Sequence, residues 1–565
     1  MGKIWREKVK SDDFEEKSKY IQEKYNLNRL VANCLAGKGL ESDKDIETFL
    51  NPKRTSFLDP FDMPDMKKAV KRIIKAIETK ERIIVYGDYD VDGITSSTIL
   101  KRFFHDIGTD IDIYIPNRLS EGYGLNEDAI KRIASDGYNL IITVDCGITG
   151  NKEVALASEL GIDTIVTDHH EPGDEIPNAV AVVDCKRKDN TYSFRDLAGC
   201  GVAFKLTQAL SQKLDLDENM SLKYLDLACI GTISDIVPLV GENRTIAKLG
   251  LMLVKQLRNL GIREIVKTAG LKTLDETAIS FGISPRINAC GRMGHQEEAL
   301  ELFLTDDPIK ARKLAQSLEA YNRQRQEIEK KTYSEASELA EKEKDNPCIV
   351  IAKEEWHHGI IGIVSSKITE DYYKPSILIC IEGEDAKGSG RSVAGFDLHE
   401  AILKCGDKLT ACGGHSMAIG LSLKSDNFED FKKEFLEYAN EHITDEMKEP
   451  VIEIDDEVTN KDVSIENIKQ ISLMEPFGES NFNPMIIYRN LKINSIRTLT
   501  EGKHIKLGLQ DENITIDAIG FGLGKFAQEY QIDDRIDVVG NIGINMFNNK
   551  ETIQIIIKDM RKAVR

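Results

Sequence analysis

Gly87-Asp88-Tyr89-Asp90-Val91-Asp92-Gly93 follows directly on the apolar run Ile83-Ile84-Val85-Tyr86. A β-branched apolar run that ends in acids and glycine predicts a strand, a tight turn and then a helix. The pattern recurs downstream. Leu140-Ile141-Ile142-Thr143-Val144 ends in Asp145-Cys146-Gly147, and Asp163-Thr164-Ile165-Val166-Thr167 ends in Asp168-His169-His170. Further β-rich runs are Ile111-Asp112-Ile113-Tyr114-Ile115 and Ala179-Val180-Ala181-Val182-Val183, the latter followed by Asp184, read as a turn residue. Amphipathic stretches, 126–135 and 152–160, lie between them. Strand–helix alternation predicts an α/β fold with a parallel sheet covered by helices.

In such a sheet, ligands bind outside the carboxyl ends of the strands. Those ends gather Asp90, Asp92, Asp145 and His169, and Asp235 of Ile233-Ser234-Asp235-Ile236-Val237-Pro238 joins them. Carboxylates crowded into one crevice repel each other unless a cation neutralises them. Oxygen donors mixed with imidazole suit Mn²⁺ or Mg²⁺ rather than a thiolate zinc site. Two such ions are the usual device for in-line hydrolysis of a phosphodiester. Any one of these acids, taken alone, reads as a helix cap or turn former; the repetition along one βαβ series is what favours metal. Asp88 and Asp168 stay open between ligand, support and cap. Cys146 reads as packing.

The rest of the chain is organised around this block. Residues 1–78 read as helices and connectors punctuated by Pro52, Pro60 and Pro64, residues 79–304 as the first α/β lobe, and 200–300 within it as mostly helical. Asp307-Pro308 is a capped helix start, and no Pro or Gly follows until Pro347. That predicts a connector over 305–346, roughly 55 Å of helix at 1.5 Å per residue, with a solvated middle at Asn322-Arg323-Gln324-Arg325-Gln326-Glu327. Residues 347–445 form a second α/β lobe, and 446–565 a strand-rich block read as a small OB-like β-barrel.

With 565 residues, 75 Lys and Arg and 95 Asp and Glu, the chain carries a net charge of −20. A blanket basic surface for duplex DNA is excluded; a nucleic-acid site must be a local patch or a metal-lined groove. No apolar run of transmembrane length occurs, and the charged N-terminal stretch does not read as a signal peptide. Ten dispersed cysteines without a C-x-x-C pair predict reduced thiols in the cytoplasm.

Asp88-Tyr89-Asp90-Val91-Asp92-Gly93 with Asp168-His169-His170 resembles the DHH phosphoesterase superfamily. Within it, the chain resembles the RecJ family of single-stranded-DNA-specific 5′→3′ exonucleases over nearly its whole length. The supporting segments are Ile115-Pro116-Asn117-Arg118, Ser234-Asp235-Ile236-Val237-Pro238-Leu239, Pro285-Arg286-Ile287-Asn288-Ala289-Cys290-Gly291-Arg292, Trp356-His357-His358-Gly359, Gly388-Ser389-Gly390-Arg391-Ser392, Cys412-Gly413-Gly414-His415 and Pro476-Phe477-Gly478. His358 stands where the family often has Pro, and Glu479-Ser480-Asn481-Phe482 is a loose form of its Gly-Asn-rich segment.

The resemblance implies that Asp90, Asp92, Asp145, His169 and Asp235 hold two Mn²⁺ or Mg²⁺ ions, with Asp145 bridging. It implies that His170 and Asp88 assist catalysis, and that a DHHA1 domain closes over the DHH domain. The Gly413-Gly414-His415 turn, above all Gly414 and His415, would contact the substrate backbone. By their chemistry, Ser389 with Arg391 offers a hydroxyl and a forked cation for phosphate, and Arg118, Arg286 and Arg292 are candidates for a terminal 5′-phosphate. His357-His358 reads as a helix start. The last block is acidic on balance, with 14 Lys and Arg against 18 Asp and Glu over 451–565. Single-strand binding there would rely on stacking aromatics such as Phe477, Phe482, Phe521 or Phe547.

The expected activity is therefore metal-dependent exonucleolytic digestion of single-stranded DNA from its 5′ end, in DNA repair and recombination. The expected enzyme is monomeric, free of the membrane, and fed by a helicase and a single-strand-binding protein. Two alternatives remain: a phosphodiesterase of short oligonucleotides or cyclic dinucleotides, and a non-catalytic replication scaffold on the same fold.

Overall fold

The computed structural model describes residues 3–217, 219–547 and 550–563. Its first lobe is built on a parallel five-stranded sheet in the spatial order Asp112–Tyr114, Ile83–Gly87, Leu140–Val144, Asp163–Thr167, Ala181–Val183. The three middle strands are buried almost throughout, which accounts for their continuous apolar runs. Helices Val91–Asp106 and Gly199–Lys213 pack together beside this sheet. The largest hydrophobic cluster lies there, drawing on Val85, Phe103, Ile142, Phe204 and Ile230.

The connector is a single 35-residue helix, Pro308–Lys342, whose Asp307 side chain accepts the Ile309 N–H. Its first turns bury Ala311, Leu314, Ala315 and Leu318 in the core of the first lobe. Its last turns bury Ala336 and Ala340 against the second lobe. The middle is polar, as the sequence predicts, but it is not simply solvated. Asn322 and Glu329 are buried and both bond Arg325, because the two lobes close over this turn of the helix.

The second lobe carries a mixed five-stranded sheet in the order Leu409–His415, Ala418–Lys424, Asp385–Arg391, Ser376–Glu382, Ile349–Glu354. Only its Ile349–Glu354 and Ser376–Glu382 pair is parallel. The C-terminal block is a closed barrel of five strands. Met485–Leu499 pairs with both His504–Asp511 and Arg535–Phe547, and Ile514–Gly520 and Lys550–Lys562 complete the ring. Closure removes the free sheet edges.

The first 78 residues do not act as one unit. Phe14, Ile21, Leu30, Leu35 and Phe49 pack into the core of the C-terminal barrel, whereas helix Met66–Glu78 packs on the first lobe. A short strand missed by the sequence reading, Ile4–Glu7, pairs in parallel with Val451–Ile454. The two ends of the chain are thus one structural body.

Candidate metal centre

The strand ends deliver the acids as the alternation requires, and two separate mechanisms fix their direction. Asp90 caps helix Val91–Asp106: one carboxylate oxygen accepts from the Asp92 and Gly93 N–H groups at 2.8 and 3.1 Å. Capping and metal binding are therefore compatible here, since the second oxygen stays free. Asp92 sits 1 % exposed at the start of helix Gly199–Lys213 and accepts from Gly199 N at 2.6 Å and Cys200 N at 2.8 Å. The positive end of that helix supports its charge. Gly199 and Gly231 make room for this side chain. A Cβ at Gly199 would lie 2.7 Å from Asp145 Cβ, and one at Gly231 would lie 2.8 Å from Asp92 Oδ1.

Asp145 holds a left-handed backbone, φ 59°, a strained conformation of the kind that collects at functional sites. His169 Nε2 lies 3.1 Å from Asp145, 3.5 Å from Asp235 and 3.8 Å from Asp92. Donor atoms of Asp88, Asp90 and Asp145 lie within 4.8 Å of one another, and so do those of Asp92, His169 and Asp235. Asp145 also clusters with His169 and His170, so it stands between the two groups.

The electrostatics of this cluster are those of a site short of positive charge. Burial, then the charges of Asp92, Asp90 and Asp235, push the Asp145 carboxyl well above the usual range. Burial and Asp92 do the same to Asp235, and burial and Asp90 to Asp88. Asp92 rises to about 6 through burial and Asp90. Burial, then His170, lowers His169 to about 3, which keeps its ring neutral and able to ligate. A buried oxygen of Asp88 and the other ring nitrogen of His169 lack hydrogen-bond partners. An oxygen-rich donor set with one imidazole, crowded and unneutralised, fits divalent manganese or magnesium.

Asp168 has a different job. It accepts from the backbone of Ile148, His169 and His170 and from His170 Nδ1 at 2.7 Å. Burial opposes its charge, but the His170 bond and these neighbours outweigh it and lower its pKa. Burial likewise opposes a charge on His170, yet Asp168, Asp235 and Asp92 raise it to about 9. Tyr123, which the sequence reading missed, reaches His170 at 3.2 Å and donates to the Asp145 carbonyl at 3.3 Å. The signal for it was its setting between Gly122 and Gly124, both at φ 81°.

A cationic pocket adjoins the acids. Arg118 lies over the Tyr89 ring at 5.0 Å, and a Cβ at Gly291 would touch the Tyr89 carbonyl at 2.9 Å, which sets the neighbouring Arg292 beside Asp88-Tyr89-Asp90. Burial, then Arg118 and Arg325, with Arg391 also contributing, lowers Arg292 to about 10. Arg325 is paired with Glu329, whereas Arg118, Arg292 and Arg391 have no carboxylate partner among the described residues and can receive an anion. Ser389 Oγ accepts from Arg391 at 3.1 Å. Arg325 was missed because the polar middle of the long helix read as solvated.

Arg286 is not in this pocket: it pairs with Glu319 at 2.7 Å and bonds the Gly282 carbonyl, tying helix Ser284–Met293 to the long helix. Gly413, Gly414 and His415 lie exposed on the edge strand Leu409–His415, and among the described residues no hydrogen bond joins them to the metal centre. His357 caps helix His358–Tyr372, as its motif predicts. Phe482 and Phe521 are exposed, Phe477 packs partly against the barrel core, and the side chain of Phe547 lies outside the described residues.

Residues 82–232 match the DHH family N-terminal domain, 345–441 the DHHA1 domain and 454–559 the RecJ OB domain. The single-stranded-DNA-specific exonuclease RecJ of Bacillus subtilis is 39% identical over 96% of this chain and 69% of that protein. The RecJ of Salmonella typhimurium is 31% identical over 95% of this chain and 96% of that protein. This chain belongs to the RecJ family. Among solved structures, RecJ of Thermus thermophilus in complex with Mn²⁺ superposes with a TM-score of 0.86 at 28% identity, covering 100% of this chain and 80% of that one. A second RecJ, bound to manganese, covers 67% of this chain and 95% of its own, with a TM-score of 0.60 at 36% identity. Membership in the RecJ family agrees with the acid-and-imidazole centre built above.

Proposed function

We propose that this RecJ-family chain is a metal-dependent exonuclease that digests single-stranded DNA from its 5′ end. The observation that carries this reading is the adjacency of two charge-deficient pockets of opposite sign. The acids of Asp88-Tyr89-Asp90 face the cation groups, and the Tyr89 between them abuts Arg118 and Gly291 of helix Ser284–Met293, which also carries Arg292.

Asp90, Asp92, Asp145, His169 and Asp235 would hold two divalent ions, and Asp88 would support the group it forms with Asp90 and Asp145. When bound, the ions neutralise the acids and polarise the scissile phosphodiester. Arg118, Arg292 and Arg391, with Ser389, hold a terminal 5′-phosphate, which fixes the strand's start and with it the polarity. His170, bonded to Asp168 and steadied by Tyr123, is placed to orient the metal site or to assist proton transfer. Gly414 and His415 offer a hydrogen-bonding turn to the strand as the second lobe closes.

The division into segments 1–78, 79–304, 305–346, 347–445 and 446–565 serves this reading. The DHH and DHHA1 lobes make the cleft, and the OB barrel with the N-terminal helices carries the strand beyond it. Repair and recombination, a cytoplasmic setting and a helicase and single-strand-binding protein as suppliers of unwound strand belong to the same proposal. All ten cysteines are free thiols, which suits a reducing compartment.

The test is digestion of one long single strand, labelled at either end, with a 5′-phosphate or a 5′-hydroxyl. Early release of the 5′ label as mononucleotide, faster from the phosphorylated strand, supports the reading. Initial loss of the 3′ label, or cleavage confined to very short oligomers, overturns it.

A further inference from the structure

A second groove, of about 1050 Å³, lies on the first lobe away from the metal centre. Helix Gly199–Lys213 shows the separation. Its first residue bonds Asp92, and its last, Lys213, lines the groove. Its 15 residues span roughly 20 Å. Val180, also in the lining, precedes strand Ala181–Val183. The groove therefore sits at the amino end of a sheet whose carboxyl ends carry the acids.

Helix Met66–Glu78 supplies most of this groove. Lys67, Lys71 and Lys75 are exposed and four residues apart, which sets them in one row along the helix, about 6 Å from neighbour to neighbour. Like charges so spaced destabilise a helix. Lys68 pairs with Asp65, and Arg72 with Glu81 and Asp163, whereas among the described residues no carboxylate pairs with the three in the row. Six basic side chains line the groove against one acid, Glu78, in a chain of net charge −20. Phe61, Ile74 and Val180 line it too. Ile74 falls three residues after Lys71 and so on the same face of the helix. Phe61 and Ile74 pack from beneath on the hydrophobic core, so this apolar surface is fixed in place.

A row of unneutralised cations beside a fixed apolar surface is complementary to an anion that carries an apolar group. A nucleic-acid strand is such an anion, but it uses its apolar faces by stacking bases on aromatic rings. Among the described residues, Phe61 is the only ring in the lining, and it is half-buried. The aliphatic Ile74 and Val180 suit a protein side chain instead. We infer that the groove beside helix Met66–Glu78 docks an acidic segment of a partner protein. Its carboxylates pair with Lys67, Lys71 and Lys75, and one large apolar side chain covers Ile74 and Val180. The charges steer and orient the partner, and the apolar contact holds it.

The inference does not depend on the nuclease reading, and either can fail alone. Full-length protein is titrated into a fluorescein-labelled, aspartate-rich peptide with one phenylalanine at its centre, and anisotropy reports binding. The comparator is the same peptide with serine at its centre. Wild type should bind the phenylalanine peptide at least about tenfold more tightly than the serine peptide, and less tightly as salt rises. The double variant Lys71→Glu, Lys75→Glu should weaken that binding about tenfold, with an unchanged melting temperature, and should digest oligothymidylate at the wild-type rate. No binding by wild type, equal binding of the two peptides, or undiminished binding by the variant overturns the docking site. Loss of oligothymidylate digestion by the folded variant also overturns it, because the groove then serves the nucleic acid. Failure of wild type itself to digest the strand counts against the nuclease reading and leaves the peptide result standing.

Discussion

Two regions of this molecule bury charge, and they do so in opposite ways. Arg244 is 1 % exposed, and among the described residues no carboxylate bonds to it. Its guanidinium donates to the carbonyls of Phe49, Leu473, Met474, Glu475 and Pro476 and lies 3.8 Å from the Phe49 ring. Backbone dipoles from two segments, Phe49 and residues 473–476, satisfy this cation, so the chain completes the site alone and the N-terminal helices, first lobe and C-terminal block are fastened at one point. At the metal centre the buried charges are carboxylates that face each other, and burial together with mutual repulsion raises the pKa values of Asp88, Asp92, Asp145 and Asp235. The Gly199 and Cys200 N–H groups offset only part of this at Asp92. A buried charge that the chain satisfies is architecture, whereas a buried charge that it leaves unsatisfied is a request for a ligand.

The largest effect expected from this contrast is on activity. Asp145→Ala should lower Mn²⁺-dependent digestion of single-stranded DNA at least about a thousandfold. In EDTA its stability should hold or rise, because a repelling acid has gone. Survival of activity in the gel assay would show that Asp145 does not bridge the ions. Next comes Arg244→Met, which leaves five carbonyls without their donor. It should cost about 3–5 kcal/mol, read as a lower urea midpoint by the same amount with and without Mn²⁺. A loss that Mn²⁺ rescues would erase the distinction between the two regions.

The smallest effect is a pH dependence confined to the metal-free protein. Asp92 has an ordinary value of 3.8 and rises to about 6 when folded, so the folded state holds this proton more tightly. The stabilisation this provides is complete below 3.8 and is lost as pH rises through about 6. The melting temperature in EDTA should therefore fall across that interval, and Mn²⁺ should flatten the slope. An identical profile with and without the ion would count against a cation site there.

Much of this was legible because it is local. Ile83-Ile84-Val85-Tyr86 and its counterparts announce buried parallel strands, and Asp307-Pro308 announces the long helix. Four of the five proposed ligands, Asp90, Asp92, Asp145 and His169, could be picked out because strand ends in a parallel sheet converge by topology, whereas Asp235 ends the helix Leu225–Ser234. What escaped were residues whose meaning depends on a distant neighbour. Arg325 read as solvated until the lobes closed over it, and Arg286 read as a candidate to bind the 5′-phosphate, whereas Glu319 holds it. Tyr123 gave only a pair of flanking glycines. The N-terminal helices gave no sign that their partner is a barrel more than 400 residues downstream.

By itself, then, the order of residues determined the strands, the connector and the acids, since hydrophobic period, capping and strand-end position are properties of short stretches of chain. Which charges end up neutralised was decided only by tertiary structure. Burial removes water from every group alike, and whether a dipole, an opposite charge or nothing replaces it depends on segments that the sequence leaves far apart.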